Sequence, residues 1–267
     1  MFVAIRKPSL GNIFKRIEAI NIRRQGHAFC LWTTKLCGVE IRQSRVMKVE
    51  LAMHYLSLNY HLKQPEIIRM RSEVPTSQVP CLIVDGKPIG ESERILTVIE
   101  RLASPSSYPH PFDEDHIRGT AFVRLVEDHL FFIISMAKHL DATASAIMWS
   151  EMLPEYSFIS RWLVRKYVQR SMMRRVQYTS LRNLSEEEIR REALKDIRAL
   201  AAQLNSSNFI ASNSLTIYDF SVAAHVASIV YWRIDNWLTS LFKQHDIFDQ
   251  YLQRVAEAVG GFDYNIP

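Results

Sequence analysis

The chain has 267 residues, enough for one large or two modest domains, and its 48% hydrophobic content is what a packed core requires and argues against general disorder. The 33 basic and 28 acidic residues leave a net charge of only +5, so the total by itself points neither to nucleic acid nor to a membrane. No apolar run approaches the roughly 20 residues needed to cross a bilayer. Cys30, Cys37 and Cys81 are odd in number and lack CxxC spacing, which speaks against a disulfide framework or a zinc site and for a reducing, cytoplasmic setting.

In chain order, residues 1–28 form a basic N-terminal extension, with Arg6, Lys7, Lys15, Arg16, Arg23 and Arg24 against Glu18 alone. It lacks the unbroken apolar core of a secretory signal. A membrane-surface helix, an organelle-targeting peptide and a basic arm packed on its own domain all remain open for it. Phe29 to Thr34 reads as a strand, followed by an irregular stretch around Gly38. Val46, Val49, Met53 and Leu56 then repeat at helical spacing, which predicts a helix from Ser44 to about Ser57. Asn59 to Leu62 reads as a second strand. Val79 to Val84 is a compact strand ending in the hairpin dipeptide Asp85-Gly86, Lys87 to Ile89 supplies its partner, and residues 91–102 have the spacing of a closing helix. The order is βαβ and then ββα.

Residues 103–112 are rich in proline and serine and are read as a linker between an α/β domain over 29–102 and an all-α domain over 113–267. In the second domain the periodic runs 117–139, 158–177, 186–204, 218–232 and 241–259 predict helices. No GxGxxG or GxxxxGK[ST] loop occurs, so a nucleotide-phosphate cradle has no support. No His/Cys/Asp/Glu cluster has metal spacing. One helical stretch sets Arg161, Arg165, Lys166, Arg170, Arg174 and Arg175 among Trp162, Leu163, Val164 and Tyr167. It reads as a basic amphipathic surface for anionic lipid, nucleic acid or an acidic partner, or as a solvated face of the bundle.

A strand-end Val79-Pro80, a hairpin, and Glu91-Ser92 opening a helix resemble the glutathione-binding half of the glutathione transferases. The resemblance implies a thioredoxin-like fold for the first domain and a cis proline at Pro80. It further implies that the backbone of Val79 pairs with the cysteinyl part of glutathione, and that Glu91, Ser92 and the helix N-terminus hold the γ-glutamyl group. Free amides at a helix start do favour a carboxylate. Leu215 to Phe220 resembles the same family's helix-capping box, with Thr216 and Asp219 capping reciprocally. Lys48-Val49-Glu50, Leu125-Val126-Glu127-Asp128-His129 and Leu184 to Ile189 are similar to segments of the failed axon connections and metaxin branch. Ser185 and Glu188 form a further capping box within the last of these.

Catalytic members of the family place a tyrosine, serine or cysteine after the first strand, at the positive end of the first helix. Alignment on Lys48-Val49-Glu50 puts Gln43 and Val46 where the branch has serine and cysteine, which leaves Ser44 as the catalytic candidate, with a plain N-cap role beside it. Arg45 would steady an anion or lie in solvent. Cys37 is the alternative nucleophile, Cys81 is a buried strand residue, and His129 and Glu127 are read first as packing residues. The expected function is glutathione binding, with glutathione as cosubstrate and no metal. Transfer to a small hydrophobic electrophile in the helical domain, a homodimer and no nucleic-acid partner complete that reading. The alternative is a non-catalytic, metaxin-like adaptor in peripheral contact with an anionic membrane.

Overall fold

The computed structural model describes residues 29–36, 39–41, 43–64, 70–102 and 113–264. The N-terminal extension, the 103–112 linker and Cys37 lie outside the described residues.

Strand β1 (Phe29–Trp32) is central in a four-stranded sheet of order β4-β1-β5-β6. It runs parallel to β4 (Tyr60–Lys63) and antiparallel to β5 (Cys81–Val84), which pairs antiparallel with β6 (Lys87–Gly90). A parallel pair needs a crossover, and helix α1 (Ser44–Tyr55) provides it. Between β1 and α1 the chain forms a small hairpin of β2 (Thr34–Leu36) and β3 (Val39–Ile41), where the sequence predicts irregular structure. Thr34 lies opposite Ile41 and Leu36 opposite Val39 in its register. Asp85 and Gly86 have φ of 51° and 80°, the left-handed pair of a two-residue hairpin turn, as the dipeptide predicts. A short α2 (Met70–Glu73) precedes β5, and α3 (Ser92–Leu102) closes the unit. The Val79–Pro80 bond is cis.

The remainder is helical. Helix α4 (Asp113–Arg124), a π-helical turn (Leu125–Leu130) and α5 (Phe131–His139) form the continuous run expected near 117–139. Helix α6 (Ala142–Met152) is not anticipated by the sequence, whose Ala-Thr-Ala-Ser-Ala start shows no apolar stripe. The Asp141 carboxylate caps it by accepting from the Ala144 N–H at 2.8 Å. Then come α7 (Phe158–Val176), a 3₁₀ turn (Ser180–Asn183), α8 (Glu186–Ser206) and α9 (Ile217–Val230). Both expected capping boxes are present, Ser185 with Glu188 and Thr216 with Asp219. The run predicted over 241–259 is divided into α10 (Trp237–Phe242) and α11 (Ile247–Ala258), because Asn236 and Thr239 cap an additional helix. Phe242 and Phe248 meet across the intervening turn, their rings tilted by 52° with centroids 4.9 Å apart. No single helix among the described residues is long and apolar enough to cross a membrane.

Every residue of α9 from Tyr218 to Ile229 is buried, which identifies it as the core of the helical part. It also packs on α1, where Tyr55 meets Phe220 at 5.8 Å between ring centroids. Helix α1 lies between α3 and α9, so all positions from Val46 to Met53 are buried, Lys48 and Glu50 included. Two ionisable side chains at such positions require partners, and they direct attention to this contact.

Candidate functional site

Strand register places Trp32 opposite Cys81 and Cys81 opposite Gly90, so these three residues form one row across one end of the sheet. Val79-Pro80 immediately precedes Cys81, and Glu91-Ser92 immediately follows Gly90. The residues that sequence reasoning assigns to the substrate are therefore brought to one sheet edge by backbone pairing alone. The chain also leaves β1 at that edge on its way to α1.

Two contacts fix the edge. The Gln78 side-chain amide donates to Glu91 Oε1 at 2.6 Å, clamping the segment before Pro80 to the residue before α3. The Thr76 side chain lies against Gly90 so closely that a Cβ there would sit 3.1 Å from it. Glu91 has φ of 63°, a left-handed conformation that costs a non-glycine residue on the order of 1–3 kcal/mol and tends to persist where surrounding structure enforces it. Ser92 follows as the first residue of α3 and is buried. The first intrahelical bond there runs from Ile95 N–H to Glu91 C=O at 3.0 Å. The amides of Ser92, Glu93 and Arg94 thus have no partner within their own helix and form its positive end.

The start of α1 corrects one expectation. Ser44 does not cap the helix: Gln43 occupies the N-cap, its carbonyl accepting from Val46 and Met47, and its side chain makes no capping bond. Ser44 is the first helical residue and is buried. Arg45 beside it is exposed, its guanidinium 5.2 Å above the Phe131 ring of α5. The first turn of α1 therefore faces the helical part of the chain.

Four residues further on, Lys48 is fully buried and forms ion pairs with Glu93 in the first turn of α3 and with Glu127 in the π turn, the latter at 2.6 Å. Ser221 of α9 donates a second hydrogen bond to Glu127. Burial pushes the Glu127 carboxyl up, but the Lys48 ammonium and the hydrogen bonds from Lys48 and Ser221 outweigh it and hold the group below its usual range. His225, one turn beyond Ser221, bonds the Ser221 carbonyl through Nδ1 at 2.8 Å, and burial pushes its pKa down to about 4. A neutral imidazole with Nδ1 as the donor leaves Nε2 as a bare acceptor, and Nε2 has no hydrogen-bond partner among the described residues. Lys48 thus ties the N-terminal turns of α1 and α3 together and anchors both to the helical part.

Sequence reasoning singled out Lys48 and Glu127 for other reasons and missed Glu93, Ser221 and His225, which are separated from Lys48 by 45 or more positions. A lysine in an otherwise apolar helical face was the available signal. His129 is the packing residue expected: its ring meets Asp196 of α8 at 2.7 Å, and that hydrogen bond raises its pKa against the opposing effect of burial. Cys81 is buried in β5 as expected, and burial raises the Cys30 thiol pKa. Among the described residues no group of three or more metal-ligating side chains converges.

Residues 39–107 match the family model for the glutathione S-transferase N-terminal domain. No curated protein matches the chain significantly. Among solved structures, the chain is similar to a delta-class glutathione transferase of Nilaparvata lugens, at a TM-score of 0.56 and 14% identity over 87% of this chain and 90% of that one. The β-etherase LigF of Sphingobium sp. strain SYK-6 matches at 0.59 and 16% identity, over 86% and 96% of the two chains. Glutathione transferase F7 of Populus trichocarpa matches at 0.54 and 12% identity, over 87% and 100%. At these identities the structural likeness shows a shared fold, a thioredoxin-like unit followed by a helical one.

Proposed function

We propose that this chain, which carries a glutathione S-transferase N-terminal domain within the glutathione transferase fold, binds glutathione at the sheet edge formed by Val79, Pro80, Glu91 and Ser92. The observation that carries the reading is Glu91, left-handed in conformation and hydrogen-bonded by Gln78, directly before the positive end of α3. In this reading the α-carboxylate of the γ-glutamyl group lies on the Ser92 amide and hydroxyl, where the donors are charge-complementary. The Val79 backbone pairs with the cysteinyl unit, and the thiol lies toward Ser44 and Arg45 at the positive end of α1. That end would favour a thiolate, and transfer to an electrophile held against the helical part would follow from thiolate stabilisation and positioning.

A non-catalytic binding role is the second reading, and one observation favours it. Lys48, the buried cation nearest the start of α1, is committed to two carboxylates and leaves no net positive charge for a thiolate. Titration calorimetry with glutathione tests the binding site. Ser92→Ala is expected to weaken affinity by about 1–2 kcal/mol, the scale of a hydrogen bond to a charged group, with the melting temperature held as a control. Affinity unchanged in that variant would place glutathione elsewhere. Turnover of a chlorodinitrobenzene electrophile that disappears in Ser44→Ala supports the transferase, whereas glutathione binding without turnover in the parent chain supports the second reading.

A further inference from the structure

Helix α7 presents an outward face unlike that of a solvated helix. Its inner stripe is regular: Val164, Val168, Met172 and Val176 recur every fourth residue and pack on the core. On the rest of the surface, Phe158 is 77% exposed, Ile159 68%, Trp162 48%, Leu163 56% and Tyr167 70%. These residues occupy the first three turns. Lys166, Arg170 and Arg174 continue the row begun by Trp162 at intervals of four.

Charge is segregated to the same place. Residues 156–185 hold seven basic side chains and no acidic one, more than the net charge of +5 of the whole chain. A solvated face normally interleaves signs, as α8 does with the pairs Arg190–Glu186 and Lys195–Glu192. Beside the basic row lies a cleft of about 550 Å³, lined by Leu140, Trp162, Lys166, Gln169, Arg170 and Arg174 among others. Cationic and amide donors line it together with an indole and an aliphatic side chain, and that mixture matches a phosphate head joined to an apolar tail.

We propose that α7 is a peripheral docking surface for a bilayer containing anionic phospholipid. Phe158, Ile159, Trp162 and Leu163 enter the boundary between headgroups and acyl chains, and Lys166, Arg170 and Arg174 meet the headgroup phosphates. The helix rises 1.5 Å per residue, so Phe158 and Arg174 lie about 24 Å apart along the axis. An oblique helix therefore sinks its apolar end by the roughly 5–10 Å typical of interfacial helices while its basic end stays at headgroup level. Trp162, at the junction of the two halves, occupies the level that indole side chains prefer. A polyanion such as RNA would satisfy the cations but leave aliphatic Ile159 and Leu163 in water, since neither can stack on a base. The proposal does not depend on the glutathione reading.

The test is cosedimentation of the full chain with vesicles of phosphatidylcholine alone or mixed with phosphatidylserine. Binding is expected only with the anionic lipid and should weaken steeply with salt, since the Debye length shrinks from about 10 Å at 0.1 M to about 3 Å at 1 M. Each cation near such a surface contributes about fivefold in affinity, so Lys166→Gln, Arg170→Gln and Arg174→Gln together should lower it about a hundredfold. Ile159→Ser with Leu163→Ser should also release the protein, and quenching of indole fluorescence by acyl-brominated lipid should fall in Trp162→Phe. Lys166 is half-buried beside the cleft and the other substituted side chains are exposed, so melting temperatures should stay close to the parent value. No binding to anionic vesicles at low salt overturns the proposal. So does full binding by the Ile159/Leu163 double variant, which would mean electrostatic adsorption alone, or retention of an RNA oligomer or acidic polypeptide without vesicle binding. Glutathione affinity should be the same with and without vesicles, which separates failure here from failure of the glutathione site.

Discussion

Asp219 is expected to contribute more to stability than a helix cap does. Its side chain is fully buried and accepts four hydrogen bonds: from Ile210 N–H, Thr216 N–H and the Thr216 hydroxyl at 2.8 Å each, and from the Tyr251 hydroxyl at 3.0 Å. Loss of a cap alone costs about 0.5–2 kcal/mol. Asp219→Ala additionally leaves the Ile210 N–H and the Thr216 hydroxyl without this acceptor, at roughly 1–3 kcal/mol each, and leaves Tyr251 only its longer bond to the Asp219 carbonyl at 3.3 Å. Against this stands the burial of the carboxylate, which outweighs its four donors and raises its pKa to about 6. Relative to an unfolded value near 3.8, that shift costs the ionised form on the order of 3 kcal/mol at neutral pH, which the alanine variant recovers. The net expectation is a loss of about 1–4 kcal/mol, read by urea unfolding with an unchanged m-value.

The pH dependence follows in sign. A folded pKa above the unfolded one means that the native state binds the proton more tightly, so the contribution is fully present below about 3.8 and is lost as pH rises through about 6. Asp219→Asn has no such titration. The stability of the parent chain minus that of Asp219→Asn should therefore fall by up to about 3 kcal/mol between pH 4 and pH 7. A loss under about 1 kcal/mol in Asp219→Ala, or a parent-minus-Asn difference that grows with pH, would refute the reasoning.

Lys48→Met should cost about 3–5 kcal/mol in chemical unfolding because it leaves Glu127 buried with Ser221 as its remaining hydrogen-bond donor among the described residues, and adding Glu127→Gln should restore much of the loss. Since the Glu127 pKa is lowered in the fold, the parent's advantage over Lys48→Met should be fully present above the usual carboxylate range and fade as pH falls through the folded value; an advantage that grows in acid would count against the pair. Gly119→Ala should destabilise by about 1–3 kcal/mol in a thermal or urea melt, because a Cβ there would lie 2.0 Å from the Tyr218 ring; an unchanged melt would show that α4 and α9 yield readily.

The sequence by itself determined what rests on local chemistry and period. Asp85-Gly86 specifies its turn because both residues tolerate positive φ, Ser185 and Thr216 specify helix starts because their partners lie three residues on, and the prolines and serines of 103–112 mark the change from α/β to helical composition. The register of β5 and β6 is fixed by that turn, and with it the adjacency of Val79-Pro80 to Glu91-Ser92. Tertiary structure decided the rest. Nothing near Lys48 in the chain announces Glu93, Glu127 or Ser221, because an ion pair across three helices depends on how those helices pack. Gln43, and not Ser44, is the cap because the first helical amides, of Val46 and Met47, bond the Gln43 carbonyl, a backbone choice that neither side chain announces. Helix α6 forms without an apolar stripe because its buried positions are set by the helices around it. On α7 the sequence supplied the basic and aromatic residues, but only the packing of Val164, Val168, Met172 and Val176 on the core determined that Phe158, Ile159, Trp162, Leu163, Tyr167, Arg170 and Arg174 are exposed.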